Sequence, residues 1–121
     1  NSSRLIKLSF IEFDLETMME EEHYADFAIL KKQLVSTFKD EKDILKVVIF
    51  GSFLSSDSPQ DMDVAVFQES SEGYIKLAMK YRKMTRVISK KIPIDIFPIK
   101  ANARDASILS EIENGEVVYE R

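Results

Sequence analysis

The chain has no cysteine among its 121 residues. Thiol catalysis, thiolate metal sites and a disulfide framework are therefore excluded, and a cytoplasmic location is compatible with that composition. Histidine occurs once, at His23. A Ser-His-Asp device would have to use it, and nothing around it suggests one, so His23 reads as a helix-surface residue. No apolar run approaches the roughly 20 residues of a membrane span. The N-terminus also lacks a signal-peptide pattern. Positive charge is in deficit, with a net charge of −4, which argues against general nucleic-acid binding.

What is present is ordinary in bulk and uneven in distribution. Hydrophobic residues make up 45% and charged residues 31%, as in a soluble globular protein. The length suits a single domain spanning 1–121, and a core of that size needs no disulfide staples. Glu12 to Glu22 holds six acids and no base, whereas Lys76 to Lys91 holds seven bases and no acid. Two solvated helix faces account for this, as does a polarised surface for an anionic substrate or a partner protein.

Periodicity divides the chain into alternating strands and helices. Leu5 to Leu15 alternates like a strand with a bulge at Phe10-Ile11, although a helix also fits. Glu16 to about Lys39 is helical, with Tyr24, Phe27, Leu30, Leu34 and Phe38 recurring at three- and four-residue steps. Val47 to Phe50 reads as a buried strand, and Gly51 to Gln60 as a polar loop. Met62 to Phe67 is a second strand. Ser71 to about Lys90 is a helix with one stripe of Tyr74, Leu77, Ala78, Tyr81, Met84 and Ile88. Pro93 opens a third strand. Ala106 to Glu113 is helical, Asn114-Gly115 a stop or turn, and Glu116 to Tyr119 a short strand. The expected class is α/β (α+β): a small mixed sheet with helices mainly on one face and a metal site on the open side.

Strand 62–67 raises a physical question. Asp61 and Asp63 point the same way while Met62, Val64 and Val66 point into the core. In the third strand Asp95 stands between Ile94 and Ile96. With the two strands adjacent, three carboxylates meet on one patch of sheet. Like charges that close are unstable unless protonated or bridged by cations. Hard oxygen donors of this kind select Mg²⁺ or Mn²⁺, and two such ions ~3.5–4 Å apart serve in-line nucleotidyl transfer. Gly51 lets a phosphate approach the backbone, and Ser52 adds a hydroxyl and an N–H at the same place.

Phe50-Gly51-Ser52, Asp61-Met62-Asp63-Val64 and Ile94-Asp95-Ile96-Phe97 together resemble the nucleotidyltransferase superfamily that includes DNA polymerase beta, and its minimal branch in particular. The tail Ile112 to Glu120 is similar to the closing helix, turn and strand of those minimal proteins. The resemblance runs from about Tyr24 to the end, so residues 1–20 look like an addition to the core. It implies that Gly51 and Ser52 hold a triphosphate and that Asp61 and Asp63 ligate both metals. Asp95 would ligate the metal nearest the acceptor hydroxyl and take its proton. It further implies Mg²⁺ (or Mn²⁺), an NTP such as ATP, and a helical HEPN-type toxin as protein partner, or a homodimer that completes the site. One departure stands out: family members often follow Gly-Ser with arginines, whereas Phe53 to Ser58 holds no cation and one acid. A base borrowed from Lys76–Lys91 or from a partner would compensate. A catalytically silent binding module with the same fold is the alternative reading.

Overall fold

The computed structural model describes residues 15–56, 59–104 and 106–121. Two units are distinguished, Asn1–Lys31 and Lys32–Arg121. The first holds the beginning of helix α1 (Leu15–Phe38), and the second holds the rest of α1 and every other element. The strand expected over Leu5 to Leu15 falls on residues outside those described, apart from Leu15, which opens α1.

The second unit is built on a four-stranded sheet. Its strands are β1 (Ile44–Phe50), β2 (Met62–Gln68), β3 (Ile94–Lys100) and β4 (Glu116–Glu120), in the order β3-β2-β1-β4. β1 is antiparallel to both β2 and β4, whereas β2 and β3 are parallel. A parallel pair cannot be closed by a tight turn. The connection is made by α3 (Tyr74–Met84) and α4 (Arg86–Ser89). The expected mixed α/β class is the one observed.

Strand alternation gives the sheet two apolar faces. Val47, Ile49, Met62, Val64 and Val66 are fully buried on one of them. Helix α3 packs along β3, and Phe38 of α1 meets Tyr81 of α3 edge to face at 5.5 Å. Val48, Phe50, Ala65 and Ile99 lie on the other face. Ile112 of α5 (Ala106–Glu113) joins them, with Phe67, Phe97, Ile108 and Leu109 packed alongside. The second face is thus partly roofed by α5, and only the part beyond that helix is open.

Three elements differ from expectation, each for a local reason. β1 begins at Ile44 rather than Val47, because Lys46 can sit in the strand with its ammonium 4.8 Å over the Phe67 ring. The 51–60 stretch is not all loop: α2 (Ser52–Ser55) forms one helical turn, with Phe53 buried as its anchor. The long helix expected over 71–90 starts later and is broken. Ser70 N–H donates to Gln68 Oε1 at 2.7 Å and Glu72 N–H to Ser70 Oγ at 3.0 Å, holding the chain in a turn before Tyr74. At the break, Thr85 Oγ1 donates to the carbonyl of Tyr81 at 2.9 Å, a back-bond that bends helices. Tyr74 consequently lies 56% exposed instead of in the buried stripe. Among the described residues no helix is long and apolar enough to cross a membrane.

Gly115, the turn residue between α5 and β4, is required by contact. A Cβ there would lie 2.6 Å from the Ile49 carbonyl oxygen and 2.7 Å from Val48 Cγ1. Both obstacles belong to the central strand, which cannot retreat. Gly115→Ala is expected to destabilise the fold by about 2 kcal/mol, within the range for overpacking, read as a lower urea midpoint at unchanged m-value. Gly73→Ala, which meets nothing within 4 Å, should leave the midpoint unchanged or slightly higher.

Candidate functional site

The register of the parallel pair decides the site. Asp63 of β2 stands directly across from Asp95 of β3, and Met62 and Val64 stand across from Ile94 and Ile96. The apolar neighbours anchor both strands in the core, so the two carboxylates are held side by side on the opposite face. Phe50 of β1 is the partner of Asp63 on its other flank. It stacks obliquely on Phe97 at 5.5 Å, giving the acids an aromatic floor.

Gly51 follows Phe50 with φ +81° and ψ −153°, a region open essentially to glycine alone. Asp63 Oδ2 lies where a Cβ of Gly51 would come within 2.6 Å, so the carboxylate rests against bare backbone. Ser52, the first residue of α2, points its Oγ at Asp61 Oδ1, 3.5 Å away. Gly51, Ser52 and Asp95 are exposed, and Asp61 and Asp63 half-buried, so the patch faces solvent. Gly51 thus adjoins Asp63, Asp63 stands beside Asp95, and Ser52 approaches Asp61. Among the described residues, no three carboxylate or imidazole groups already converge as a ready ion cage: Asp63 and Asp95 share a hydrogen bond, while Asp61 turns toward Ser52.

Electrostatics marks Asp63 as the strained member. Partial burial raises its pKa above the ordinary 3.8, and the charges of Asp61 and Asp95, the hydrogen bond to Asp95 and the charge of Glu111 raise it further. A divalent cation would relieve the same repulsion, and the donor set is all hard oxygen. The donor chemistry thus suits such a group, with Asp61 having to turn from Ser52 to join Asp63 and Asp95 around it.

Glu111 was not apparent from sequence. It sits on α5 between Ile108 and Ile112, whose packing against the sheet brings its charge within range of Asp63. The helix was legible, but the strand face it covers was not. The basic helix offers less than expected to the Gly51-Ser52 loop: Lys80 pairs with Glu41 at 3.0 Å and Lys76 with Glu72 at 3.5 Å. A cavity of about 520 Å³ between α5, β1, β2 and β4, lined by Lys46, Val48, Phe67, Leu109, Ile112 and Val117 among others, contains none of the five site residues.

Comparison with known proteins concerns the family and the fold of the chain. The family described as "Polymerase beta, Nucleotidyltransferase" matches residues 32–121. No curated protein matches the chain. Among solved structures, the fold is similar to a chain in the complex of tri-AMPylated Shewanella oneidensis HEPN toxin with MNT antitoxin. That match has 14% identity and a TM-score of 0.53, covering 78% of this chain and 72% of the other. The MntA–HepT toxin–antitoxin structure matches with 13% identity and a TM-score of 0.52, over 78% and 73% of the two chains. A doubly Asp-to-Glu substituted form of such a pair matches at 12% identity, TM-score 0.54, over 75% and 73%. At these identities the likeness is one of fold.

Proposed function

This chain belongs to the polymerase beta nucleotidyltransferase family, and from that premise we propose that it transfers a nucleoside monophosphate from an NTP, ATP first among them, to a hydroxyl acceptor with Mg²⁺ or Mn²⁺ bound at Asp61, Asp63 and Asp95. The observation that carries this reading is the in-register pairing of Asp63 with Asp95 beside the side-chain-free backbone of Gly51. Bound cations would supply charge neutralisation at the phosphates. Gly51 and Ser52 lie where backbone and hydroxyl can hold the distal phosphates. The acceptor oxygen bonds to the α-phosphorus, the bond to the β-phosphate bridging oxygen breaks, pyrophosphate leaves, and Asp95 takes the acceptor's proton. Residues 32–121 form the catalytic core in this reading, and residues 1–20 are an addition to it.

The acceptor is a protein side chain on a HEPN-type partner. Support comes from the solved structures of similar fold, in which antitoxin and HEPN toxin occur together and one toxin is AMPylated. The test is to co-express this chain with a HEPN-type protein from the same source and purify the pair. Labelled ATP should then mark the partner in a cation-dependent way. Loss of label with Asp61→Asn is the expected result, and undiminished label in that variant overturns the assignment.

A second reading has its own observation. The 53–58 stretch supplies no cation to a triphosphate, and Lys76 and Lys80 are engaged elsewhere. A silent module that neutralises its partner by binding alone fits this loop. Calorimetric titration with Mg²⁺-ATP separates the two: the enzyme should give cation-dependent heat of binding, and the silent module none.

A further inference from the structure

A helix packed on a sheet normally confines its apolar residues to one face. α3 does not. Leu77, Ala78 and Tyr81 are buried, yet Ile75 and Met79, one turn apart on the opposite side, are 73% and 64% exposed, and Val87 of α4 is 66% exposed. With Tyr74, four of the seven exposed large apolar side chains among the described residues fall on these two short helices. The bases of these helices dominate their outer surface, since Lys76 to Lys91 contains no acid, and the neighbouring acids Glu72 and Glu41 meet Lys76 and Lys80 in ion pairs. Lys76 and Lys80 border the ridge on one flank, tethered to Glu72 and Glu41. Arg82 and Lys83 follow one turn on, both exposed.

An apolar centre with a charged rim is the anatomy of a protein interface. Surfaces that hold single-stranded nucleic acid combine positive charge with stacking aromatics, whereas this ridge is aliphatic apart from Tyr74. Helices that lie in a membrane surface commit their main apolar face to it, and that face of α3 is already buried against the protein. A second copy meeting this face with its own would set bases against bases, which repels. We propose that the outer face of α3 and α4, centred on Ile75, Met79 and Val87, is a docking surface for a protein partner presenting an apolar groove rimmed by carboxylates. This rests on the existence of the partner protein proposed above, and adds where and by what chemistry that partner is held.

The test uses the full chain and the co-expressed partner defined above, with calorimetry at low and high salt. Wild-type chain should bind, less tightly at high salt. Ile75→Asp combined with Met79→Asp should weaken binding by about 30-fold or more, as loss of an interface centre does, with an unchanged melting temperature because both side chains are exposed. Arg82→Glu with Lys83→Glu should weaken it by about 10-fold and flatten its salt dependence. Val117→Asp, on β4, should change nothing. Absence of binding by the wild-type chain overturns the partner itself. Binding that survives Ile75→Asp/Met79→Asp undiminished overturns the docking surface alone. Capture of phosphatidylserine vesicles or of a single-stranded oligonucleotide, or self-association, that this double variant abolishes also overturns it, assigning the face to membrane, nucleic acid or a second copy.

Discussion

Asp63→Asn should abolish nucleotidyl transfer and, in buffer stripped of divalent cations, raise the melting temperature. The two effects share one cause. Asp63 is the carboxyl that burial, Asp61, Asp95 and Glu111 all push toward its neutral form. The amide keeps the shape and removes the charge, so the fold loses a repulsion while the site loses its central ligand. The rate should fall by at least ~10³-fold, about 4 kcal/mol of transition-state stabilisation. Melting followed by scanning fluorimetry reads the other half. With chelator at neutral pH the variant should melt a few degrees above wild type. With millimolar Mg²⁺ the wild type should gain stability and the variant should not. A variant that melts lower than wild type in chelator would remove the repulsion argument.

Linkage fixes the sign of the pH dependence. A carboxyl whose folded-state pKa is raised holds its proton longer in the folded chain than in the unfolded one. Its contribution is fully present below the ordinary 3.8 and is lost as pH climbs through the raised folded value. Cation-free wild-type protein should therefore lose stability relative to Asp63→Asn as pH climbs from below 3.8 through that raised value. The difference between their melting temperatures should widen over that window and level off above it. Excess Mg²⁺ should abolish the widening.

Gly51→Ala is the second large effect, and here fold and chemistry fail together. The backbone at φ +81° and ψ −153° strains any residue with a Cβ. The added methyl would also stand 2.6 Å from Asp63 Oδ2, displacing the carboxylate from its pairing with Asp95. Strain of 1–3 kcal/mol plus the clash gives a destabilisation of about 3 kcal/mol, or a melting temperature lower by roughly 10–20 °C for a unit of this size. Ser52→Ala makes the useful contrast. Its hydroxyl is exposed and reaches Asp61 only at 3.5 Å, so stability should hold while the apparent affinity for Mg²⁺-ATP falls. If Gly51→Ala unfolds no more readily than Gly73→Ala, the account of this turn is wrong.

Much of the site was readable because strand alternation is a local rule. Asp63 had to oppose Met62 and Val64, and Asp95 had to oppose Ile94 and Ile96, whatever the rest of the chain did, whereas Asp61 stands just ahead of β2 and meets Ser52. Glu111 was not readable, because its relevance depends on which sheet face α5 covers. The break at Thr85 was missed for another reason. The apolar stripe continues through it to Ile88, and periodicity is blind to a hydroxyl that bonds backward to the Tyr81 carbonyl. Lys46 concealed the start of β1 by the same kind of override, since its charge found the Phe67 ring.

The amino-acid sequence by itself determined the order of the main strands and helices, the alternation of side chains along β2 and β3 and the hard-oxygen character of the ligand set, because these follow from backbone geometry and residue chemistry within a few positions. Tertiary structure alone decided that β2 and β3 are parallel neighbours in a register that opposes Asp63 to Asp95. It also decided that Gly51 turns beneath that pair and that the bases of α3 face outward beside exposed aliphatic side chains. Those outcomes depend on pairing between segments some thirty residues apart, where the closure of the whole core, and no local preference, selects the partner.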